Sequence, residues 1–338
     1  MLKKSLTEEV KVIRMDYERL AEKSLQGLVL EREEMSAVLN ASDEQLPELL
    51  ASAFKVRRYY FGKRVQIHVL MNAKSGLCPE DCHYCSQSSI STAPVDKYPL
   101  LPRERLLEGA FKAKAAGAVR YCMVNSGRGP TQKEIEEIAK VVREIKSQVP
   151  INICCSLGIM NEAKARVLKE AGVERVNHNL NTSKRYYPKI CTTHTYEDRV
   201  QTVKNVTSAG LSPCCGGIIG MGETEDDIIE MALALRELDV DSIPINFLHP
   251  VPGTPLAKAN HLTPQRCLKS LCLFRFLNPS KEIRVAGGRE LNLRSLQPMS
   301  LYPANSIFVN GYLTTPGQRA SEAHQMIEDM GFEIEQGS

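Results

Sequence analysis

The sequence predicts an α/β protein, a (β/α)8 barrel of the TIM type with an N-terminal helical extension. From about residue 65 onward, short β-rich runs alternate with longer amphipathic segments. Several of these segments are followed by a glycine where a helix C-cap is expected, namely Gly117, Gly172 and Gly210. Alternation of this kind is typical of a parallel sheet with its active-site residues at the carboxyl ends of the strands.

The pattern divides the chain into three parts. Residues 1–64 are expected to form helices packed outside the barrel entrance, with one helix over Glu44–Arg58. Residues 65–315 form the barrel core, and residues 316–338 form a C-terminal helix and tail. Thr315 as N-cap and Pro316 at the first helical position predict where the last helix begins, and Gly337 and Ser338 are expected to fray.

Eight runs have the β-propensity and length of barrel strands. They are Val65–Met71, Ala118–Val124, Pro150–Ser156, Arg175–Leu180, Leu211–Ile219, Ser242–Leu248, Glu282–Ala286 and Ser306–Val309. The helical patterns between them are Arg103–Ala116, Gln132–Lys146, Glu162–Ala171, Tyr196–Ala209 and Glu225–Leu238. The last strand has the weakest pattern, so a barrel that is not fully closed there stays open as an alternative.

Composition narrows the class of protein. Hydrophobic residues make up 43% of the 338 residues and charged residues 25%, as in ordinary globular proteins. A net charge of +3 gives no sustained basic field for nucleic acid. No apolar run approaches the roughly 20 residues that cross a bilayer, and the first residues lack a signal-peptide core. We therefore expect a cytoplasmic protein that binds neither nucleic acid nor membrane.

The chain contains 11 cysteines, an odd number that argues against a closed disulfide framework. In a reducing cytoplasm, such cysteines are more often metal-binding or catalytic.

Three of the cysteines lie on one loop directly after the first strand. Cys78, Cys82 and Cys85 have the spacing C-x3-C-x2-C. Three thiolates can ligate three irons of a [4Fe–4S] cluster, whose full set needs four, and the fourth iron then stays open to a substrate or cofactor. The alternatives are a zinc site or three unligated thiols, although zinc sites usually pair a C-x2-C unit with a later His or Cys pair.

A second set of cysteines is expected inside the barrel, because neighbouring side chains of a strand face opposite sides. On the third strand Cys154 shares a polar face, whereas Cys155 shares the apolar face that should meet the helices. The same alternation turns Cys122 and Cys214 inward and Cys215 outward. Core packing is the alternative, since free cysteine is among the most buried residue types. The remaining cysteines have no comparable setting and are expected to be inert: Cys191, Cys267 and Cys272.

The seventh predicted strand places Glu282 and Arg284 on its inward face. A buried arginine normally pairs with a carboxylate and does not readily lose its proton. From chemistry alone, Arg284 is therefore expected to form a salt bridge with Glu282 or with another acid of the barrel.

The three-cysteine loop resembles that of the radical S-adenosylmethionine superfamily. The resemblance implies that the open iron binds the amino and carboxylate groups of S-adenosylmethionine. It further implies that one-electron reduction releases a 5′-deoxyadenosyl radical, which removes hydrogen from an unactivated carbon. Tyr84 matches the aromatic position beside the adenine, with loop packing as the alternative.

Beyond this loop, segments that follow in order from about residue 50 to 320 resemble the biotin synthase family. They are residues 76–87, 120–123, 154–158, 177–180, 214–218, 222–224, 244–246 and 286–290. In combination these segments distinguish that family from its superfamily relatives.

The resemblance implies a set of site residues and no catalytic residue beyond the clusters. The expected [2Fe–2S] ligands are Cys122, Cys154, Cys214 and, on resemblance alone, Arg284. The expected substrate contacts are Asn177, Asn179 and Asn246, and the expected S-adenosylmethionine contacts are Tyr84, Asn179 and Asn181. For the asparagines, polar filling of the barrel is the alternative. Asn181 stands where the family pattern has an aspartate on the ribose, so it keeps hydrogen bonding but loses the charge.

The implied reaction is the last step of biotin biosynthesis, in which two hydrogen abstractions from dethiobiotin are followed by sulfur insertion from the [2Fe–2S] cluster. A flavodoxin- or ferredoxin-type electron donor and a homodimer are implied as well. One rival interpretation is another radical enzyme of similar barrel, such as a hydrogenase maturase or a carbon-skeleton mutase. A second is a non-enzymatic iron–sulfur carrier or zinc-binding scaffold, which metal and sulfide analysis would distinguish.

Overall fold

Eight parallel strand positions close a barrel in the computed structural model, which describes residues 15–337. The strands, numbered β1 to β10 in chain order, are Arg64–Lys74, Arg120–Asn125, Asn152–Ser156, Arg175–Asn177, Ser212–Cys214, Gly217–Ile219, Ser242–Phe247, Glu282–Val285, Ser306–Phe308 and Glu333–Ile334. Strand β9 pairs with β8 and also with β1, where Gln66 lies opposite Ser306. The (β/α)8 barrel is confirmed, and it is closed at the strand whose sequence pattern was weakest.

The fifth strand position consists of two short strands, not the single strand predicted over Leu211–Ile219. Strands β5 and β6 both pair with β7, and Cys215 and Gly216 interrupt the ladder between them. A Cβ atom on Gly216 would lie 1.9 Å from the carbonyl oxygen of Pro244, so only glycine allows the backbone to pass this close to β7.

The helices, numbered α1 to α11, surround the barrel. They are Tyr17–Leu25, Arg32–Leu39, Leu46–Phe61, Arg103–Ala115, Gln132–Gln148, Glu162–Ala171, Tyr196–Ser208, Glu225–Glu237, Pro264–Leu277, Arg289–Leu293 and Ala320–Asp329. The five barrel helices predicted from sequence agree with α4 to α8 within two residues at each end. Thr131, Thr195 and Thr224 begin three of them through capping boxes, which satisfy free backbone N–H groups.

The extension packs on α9 at the outside of the barrel. Helix α3 begins after a 3-10 turn at Asp43–Gln45 and lies against α9, and α1 lies against α3. The buried Ser24 hydroxyl of α1 donates to the carbonyl oxygen of Phe276, 2.7 Å away, and so ties the two parts together. The first 14 residues of the expected extension lie outside the described residues.

The final helix begins at Ala320, so the start predicted at Pro316 is wrong. The segment before α11 runs back along residues 310–312, because the backbone N–H of Asn310 donates to the Gln318 carbonyl oxygen. The Gln318 N–H is itself held by Glu290, at 2.8 Å. The helix starts only where the Asn310 side chain accepts from the Ala320 N–H. After α11, strand β10 pairs with the start of β1, which the sequence pattern did not indicate.

Within residues 15–337, none of the helices is both long and apolar enough to cross a membrane.

Candidate active site

A cavity of about 310 Å³ opens at the carboxyl ends of the barrel strands. Its walls come from the strands, from the loop after β1 and from the segment after β9. Eight of the residues predicted from sequence line it: Tyr84, Cys85, Cys122, Cys154, Asn177, Asn179, Asn246 and Arg284. The other four, Cys78, Cys82, Cys214 and Asn181, are not part of its lining. The structure therefore brings the third cysteine of the loop and two of the three inward thiols to one cavity.

The three-cysteine loop is held at its base by one side chain. The Gln87 amide oxygen accepts from the Gly76 N–H at 2.8 Å and from the Ser75 hydroxyl at 3.0 Å. Gly76 has a φ of 67°, and a Cβ atom there would lie 2.6 Å from Lys97 Cγ. The Cys85 N–H donates to the Cys82 carbonyl oxygen at 3.1 Å, which forms a tight turn between the second and third thiols.

Burial favours the protonated form of two of the loop thiols. It raises the pKa of Cys78 and raises the pKa of Cys85 to about 11. Binding of iron by these sulfurs would therefore release protons, as expected for a site that forms together with its metal. Three thiols on one short loop beside a cavity fit a cluster with one open iron.

Cys191 does not have the inert setting that was expected from sequence. Its sulfur lies 3.8 Å from the sulfur of Cys82 and 3.3 Å from Nδ1 of His194. The hydrogen bond that the two sulfurs share raises the pKa of Cys82 and lowers that of Cys191. The C-x2-H spacing of Cys191 and His194 is the signal that sequence reasoning missed. Cys267 and Cys272 do pack in the apolar core, as expected.

The prediction that Cys122, Cys154 and Cys214 face the inside of the barrel, and Cys155 and Cys215 the helices, is confirmed. Cys155 and Cys215 pack in the apolar core between barrel and helices. Cys122 and Cys154 instead line the cavity from adjacent, in-register positions of β2 and β3. The Cys214 sulfur accepts a hydrogen bond from Asn177 Nδ2 at 3.3 Å. Their role as cluster ligands stays a prediction.

Below these thiols, the buried carboxylate of Glu282 is surrounded by three basic side chains. Glu282 accepts hydrogen bonds from Arg284 and Arg175 and from the Ser306 hydroxyl, which lies 2.7 Å away. His68 Nε2 lies 3.2 Å from the same carboxylate. Burial alone would raise the pKa of Glu282, but the surrounding cations, Arg284 first, hold it well below its usual value. The salt bridge expected for Arg284 is therefore present.

Arg284 also extends past Glu282 toward the thiols. Its Nη1 atom lies 3.8 Å from the Cys214 sulfur, and its guanidinium carbon lies 5.0 Å from the centre of the Phe308 ring. Its Nε atom, together with Nε and Nη1 of Arg120, is buried without a partner among the described residues.

Unpaired guanidinium donors beside three thiols suit an anionic group. A hydrogen bond with Cys122 lowers the pKa of Cys154, and Arg120, Arg175 and Arg284 act in the same direction. Thiolates ligating iron are stabilised by the same positive surroundings. The residues present therefore fit a [2Fe–2S] cluster held at the bottom of the cavity.

Asn177 and Asn179 form a short amide chain on the cavity wall. Asn177 Nδ2 donates to Asn179 Oδ1 at 2.9 Å, and that oxygen also accepts from the Gly216 N–H at 3.1 Å. Across the cavity, Asn246 Nδ2 donates to the Gly217 carbonyl oxygen, and its Oδ1 accepts from the Gly287 N–H. All three amides line the cavity, held by neighbours on its wall.

Asn181 contacts Tyr84 rather than the cavity. Its Nδ2 donates to the Tyr84 hydroxyl at 2.6 Å and so links the three-cysteine loop to the wall of the barrel. Asn181 has a φ of 72°, in the left-handed region that asparagine adopts more readily than most residues. An acceptor-only carboxylate at this position would reverse the direction of the bond to Tyr84.

The segment after β9 closes one side of the cavity, which sequence reasoning missed. Tyr312, Leu313, Thr314 and Thr315 line it, and the Thr314 hydroxyl is 2.7 Å from that of Ser86. Nothing in the residue types of this segment signals such a position.

Comparisons with known proteins agree with this geometry. Residues 74–235 match the model of the radical SAM superfamily, and residues 244–333 match the biotin and thiamin synthesis associated domain. The biotin synthase of Geobacillus thermodenitrificans is 56% identical over 94% of this chain and 95% of its own length. That of Lysinibacillus sphaericus is 53% identical over 95% of this chain and 97% of its own length.

Solved structures share the fold at low identity. Methylornithine synthase has a TM-score of 0.81 at 21% identity, covering 94% of this chain and 97% of its own. The FeFe-hydrogenase maturase from Carboxydothermus hydrogenoformans has a TM-score of 0.79 at 17% identity, covering 95% and 80%. At these identities the likeness concerns the fold alone, whereas the relatives above 50% identity decide the family. The chain belongs to the biotin synthase family of radical S-adenosylmethionine enzymes.

Proposed function

We propose that this chain converts dethiobiotin to biotin, using S-adenosylmethionine, a [4Fe–4S] cluster on Cys78, Cys82 and Cys85, and a [2Fe–2S] cluster on Cys122, Cys154, Cys214 and Arg284. One observation carries the proposal: inward thiols and unpaired guanidinium donors lie at the bottom of the cavity that the three-cysteine loop borders. When bound, the first cluster and S-adenosylmethionine supply hydrogen abstraction, and the second cluster supplies sulfur.

The chain's own residues fix where these groups bind. Gln87 holds the base of the loop, and the Asn181–Tyr84 hydrogen bond fixes the ring beside the third thiol. At the bottom, Arg284 is oriented by Glu282 on one side and by the Phe308 ring on the other. Such orientation by neighbours is what keeps ligands of a metal site in place.

Asn177, Asn179 and Asn246 suit a ureido ring, which presents both N–H and C=O groups. Amide side chains offer donors and acceptors together, so facing amides can satisfy both. The substrate lies between the two cluster sites in this proposal, with Asn177 beside the Cys214 sulfur. We propose the Asn179 carboxamide as a contact of both dethiobiotin and S-adenosylmethionine, and Asn181 as a contact of S-adenosylmethionine.

The walls of the cavity protect reactive species from water. The segment of residues 312–315 lies over one side, joined to the loop through Thr314 and Ser86. Exclusion of solvent prevents side reactions and fixes the reacting atoms close together. An electron must reach the loop from outside, and we propose a flavodoxin- or ferredoxin-type donor. We further propose that the protein is a homodimer and is located in the cytoplasm.

Anaerobic turnover of the reconstituted full chain with dethiobiotin, S-adenosylmethionine and a reductant tests the function. We expect biotin together with 5′-deoxyadenosine. Protein that contains both clusters and cleaves S-adenosylmethionine without forming biotin would favour another radical enzyme. Protein that carries iron and sulfide but cleaves no S-adenosylmethionine would favour an iron–sulfur carrier.

A further inference from the structure

Cys82, Cys191 and His194 form a buried cluster beside the three-cysteine loop. One ligand atom of each side chain lies within 4.8 Å of the others, and all three residues are buried. Cys191 lies between β4 and α7, so the chain brings it to the loop from a distance of more than 100 residues.

The distances suit a tetrahedral metal ion. Two sulfurs bound to one zinc ion at about 2.3 Å are about 3.8 Å apart in a tetrahedral site. The Cys82 and Cys191 sulfurs are 3.8 Å apart in this structure. Both ring nitrogens of His194 are close to the Cys191 sulfur, Nδ1 at 3.3 Å and Nε2 at 3.8 Å.

The neighbours of His194 indicate which nitrogen faces a metal ion. Glu80 Oε2 lies 2.5 Å from Nδ1, the arrangement in which a carboxylate holds a ligating histidine by its other nitrogen. Nε2 is then the ligand atom, and its partner in the metal-free protein is Arg199 Nη2 at 2.8 Å. Arg199 keeps its bonds to the Tyr187 hydroxyl and the Asn179 carbonyl oxygen when that contact is exchanged for the metal.

The charges around the cluster also suit a divalent cation. Glu80 and Asp81 contribute two carboxylates, and the Asp81 oxygen lies 3.3 Å from the Cys191 sulfur. Arg199 and Arg128 contribute two guanidiniums. Because the two negative and two positive charges of these side chains cancel, one zinc ion neutralises the two thiolates that it binds.

We propose that the cluster-free protein binds one zinc ion through Cys82, Cys191 and His194, in competition with the iron–sulfur cluster that needs Cys82. Binding forms two Zn–S bonds and one Zn–N bond, releases the proton of Cys82 and any that Cys191 still carries, and leaves the fourth position to water. Zinc binding itself does not depend on the proposed function, whereas the competition rests on the proposed cluster role of Cys82.

Cobalt binding to reduced, cluster-free, full-length protein tests the site. The Cys78→Ala/Cys85→Ala variant removes the other two loop thiols and keeps the three proposed ligands. We expect it to bind Co²⁺ with thiolate-to-cobalt charge-transfer absorption and tetrahedral d–d bands, which Zn²⁺ displaces. Adding Cys191→Ser should lower the affinity at least about 100-fold, because losing even an outer-shell partner costs about 10–100-fold. Adding Cys272→Ala, another buried cysteine, should leave affinity unchanged.

Any cobalt bound by Cys122, Cys154 and Cys214 would contribute equally to the absorption of every one of these variants. A difference in cobalt binding between the variants therefore reports on the proposed site alone. Adding His194→Gln instead of Cys191→Ser should keep charge-transfer absorption but shift the d–d bands. Equal cobalt affinity with and without Cys191→Ser, in variants with unchanged circular dichroism, would overturn the site.

Iron incorporation tests the competition separately. Wild-type protein loaded with zinc should take up less iron and sulfide during anaerobic reconstitution than zinc-free protein. In Cys191→Ser, which keeps all three loop cysteines, the same zinc addition should have a smaller effect. Equal inhibition in both proteins would show that zinc acts elsewhere, while the cobalt spectra would still decide the site.

Discussion

The Nη1 atom of Arg284 lies 3.8 Å from the Cys214 sulfur, while Nη2 of the same side chain donates to Glu282. Arg284 thus contacts an inward-facing thiol of the barrel and a buried acid at once. The two interpretations of an inward arginine, a cluster ligand and a partner for an acid, are compatible in this geometry. Experiments on Arg284 must therefore measure stability and cluster spectrum separately.

Cys82→Ala should abolish formation of 5′-deoxyadenosine from S-adenosylmethionine, because two thiols on the loop cannot hold three irons. Chromatography of the anaerobic reaction products measures this. Cys272→Ala, in the core packed by α9, is the matched control and should keep the product. A wild-type yield from the reconstituted Cys82→Ala protein would rule out the radical assignment of this loop.

Cys154→Ser and Cys214→Ser should lose the visible absorbance of the [2Fe–2S] cluster. Cys155→Ala and Cys215→Ala should keep it, because those side chains face the helices. Each pair differs by one position along the chain, so the comparison tests the facing of the strand as well as the ligand role. If the cluster depended on Cys155 and Cys215 instead, the register of β3 and β5 would be shifted by one residue.

The barrel was predictable because its signals are local. Thr131, Thr195 and Thr224 each precede a helix, and the helix starts predicted from sequence agree with the structure at all three. Side-chain alternation was enough to separate Cys154 from Cys155, since strand parity is independent of the rest of the fold. Helix α9 was missed because its buried face extends around most of the helix, which hides the amphipathic period.

What the sequence could not predict depends on contacts between distant segments. The meeting of Cys191 with Cys82 requires the loop after β1 to lie against the segment after β4. The start of α11 is set by Asn310 and Glu290, which lie outside the helix and compete for the backbone N–H groups before it. The break at Gly216 follows from the carbonyl oxygen of Pro244 on a neighbouring strand.

His68→Asn should flatten the pH dependence of stability of the cluster-free protein between about pH 6.5 and 4.5. Burial, helped by the Arg284 charge, lowers the pKa of His68 from 6.5 to about 3. In that range the unfolded chain therefore binds a proton that the folded protein does not, and stability falls as the pH falls. The slope from one such group is at most about 1.4 kcal/mol per pH unit.

Denaturant unfolding at a series of pH values measures this slope. Above about pH 5.5 the depressed pKa of Glu282 contributes little, because that carboxyl is then largely ionised in both the folded and the unfolded chain. His261→Asn, at an exposed position, is the control and should keep the wild-type slope. An unchanged slope in His68→Asn would mean that folding does not lower the pKa of His68.

Arg284→Ala should destabilise the cluster-free protein, because it removes one of the cations that face Glu282 in the core. Breaking a buried pair by removing one partner costs on the order of 3–5 kcal/mol, and Arg175 reduces that cost by staying in contact with the carboxylate. Adding Glu282→Gln to Arg284→Ala should lower the stability further, because the buried Arg175 then loses the carboxylate that it contacts. Thermal and denaturant unfolding of the cluster-free proteins measure both effects.

The ligand role of Arg284 predicts a second effect that the salt bridge does not. Three thiolates and another donor can still hold the [2Fe–2S] cluster, so Arg284→Ala and Arg284→Cys should both assemble it with a shifted spectrum. Arg284→Cys should also have altered redox behaviour, because a thiolate donates more charge to iron. The Glu282→Gln protein is the matched control, because it loses the salt bridge while Arg284 is kept. A shifted holo spectrum in Arg284→Ala and a nearly unchanged one in Glu282→Gln support ligation. A wild-type spectrum in Arg284→Ala would leave Arg284 only its bond to Glu282.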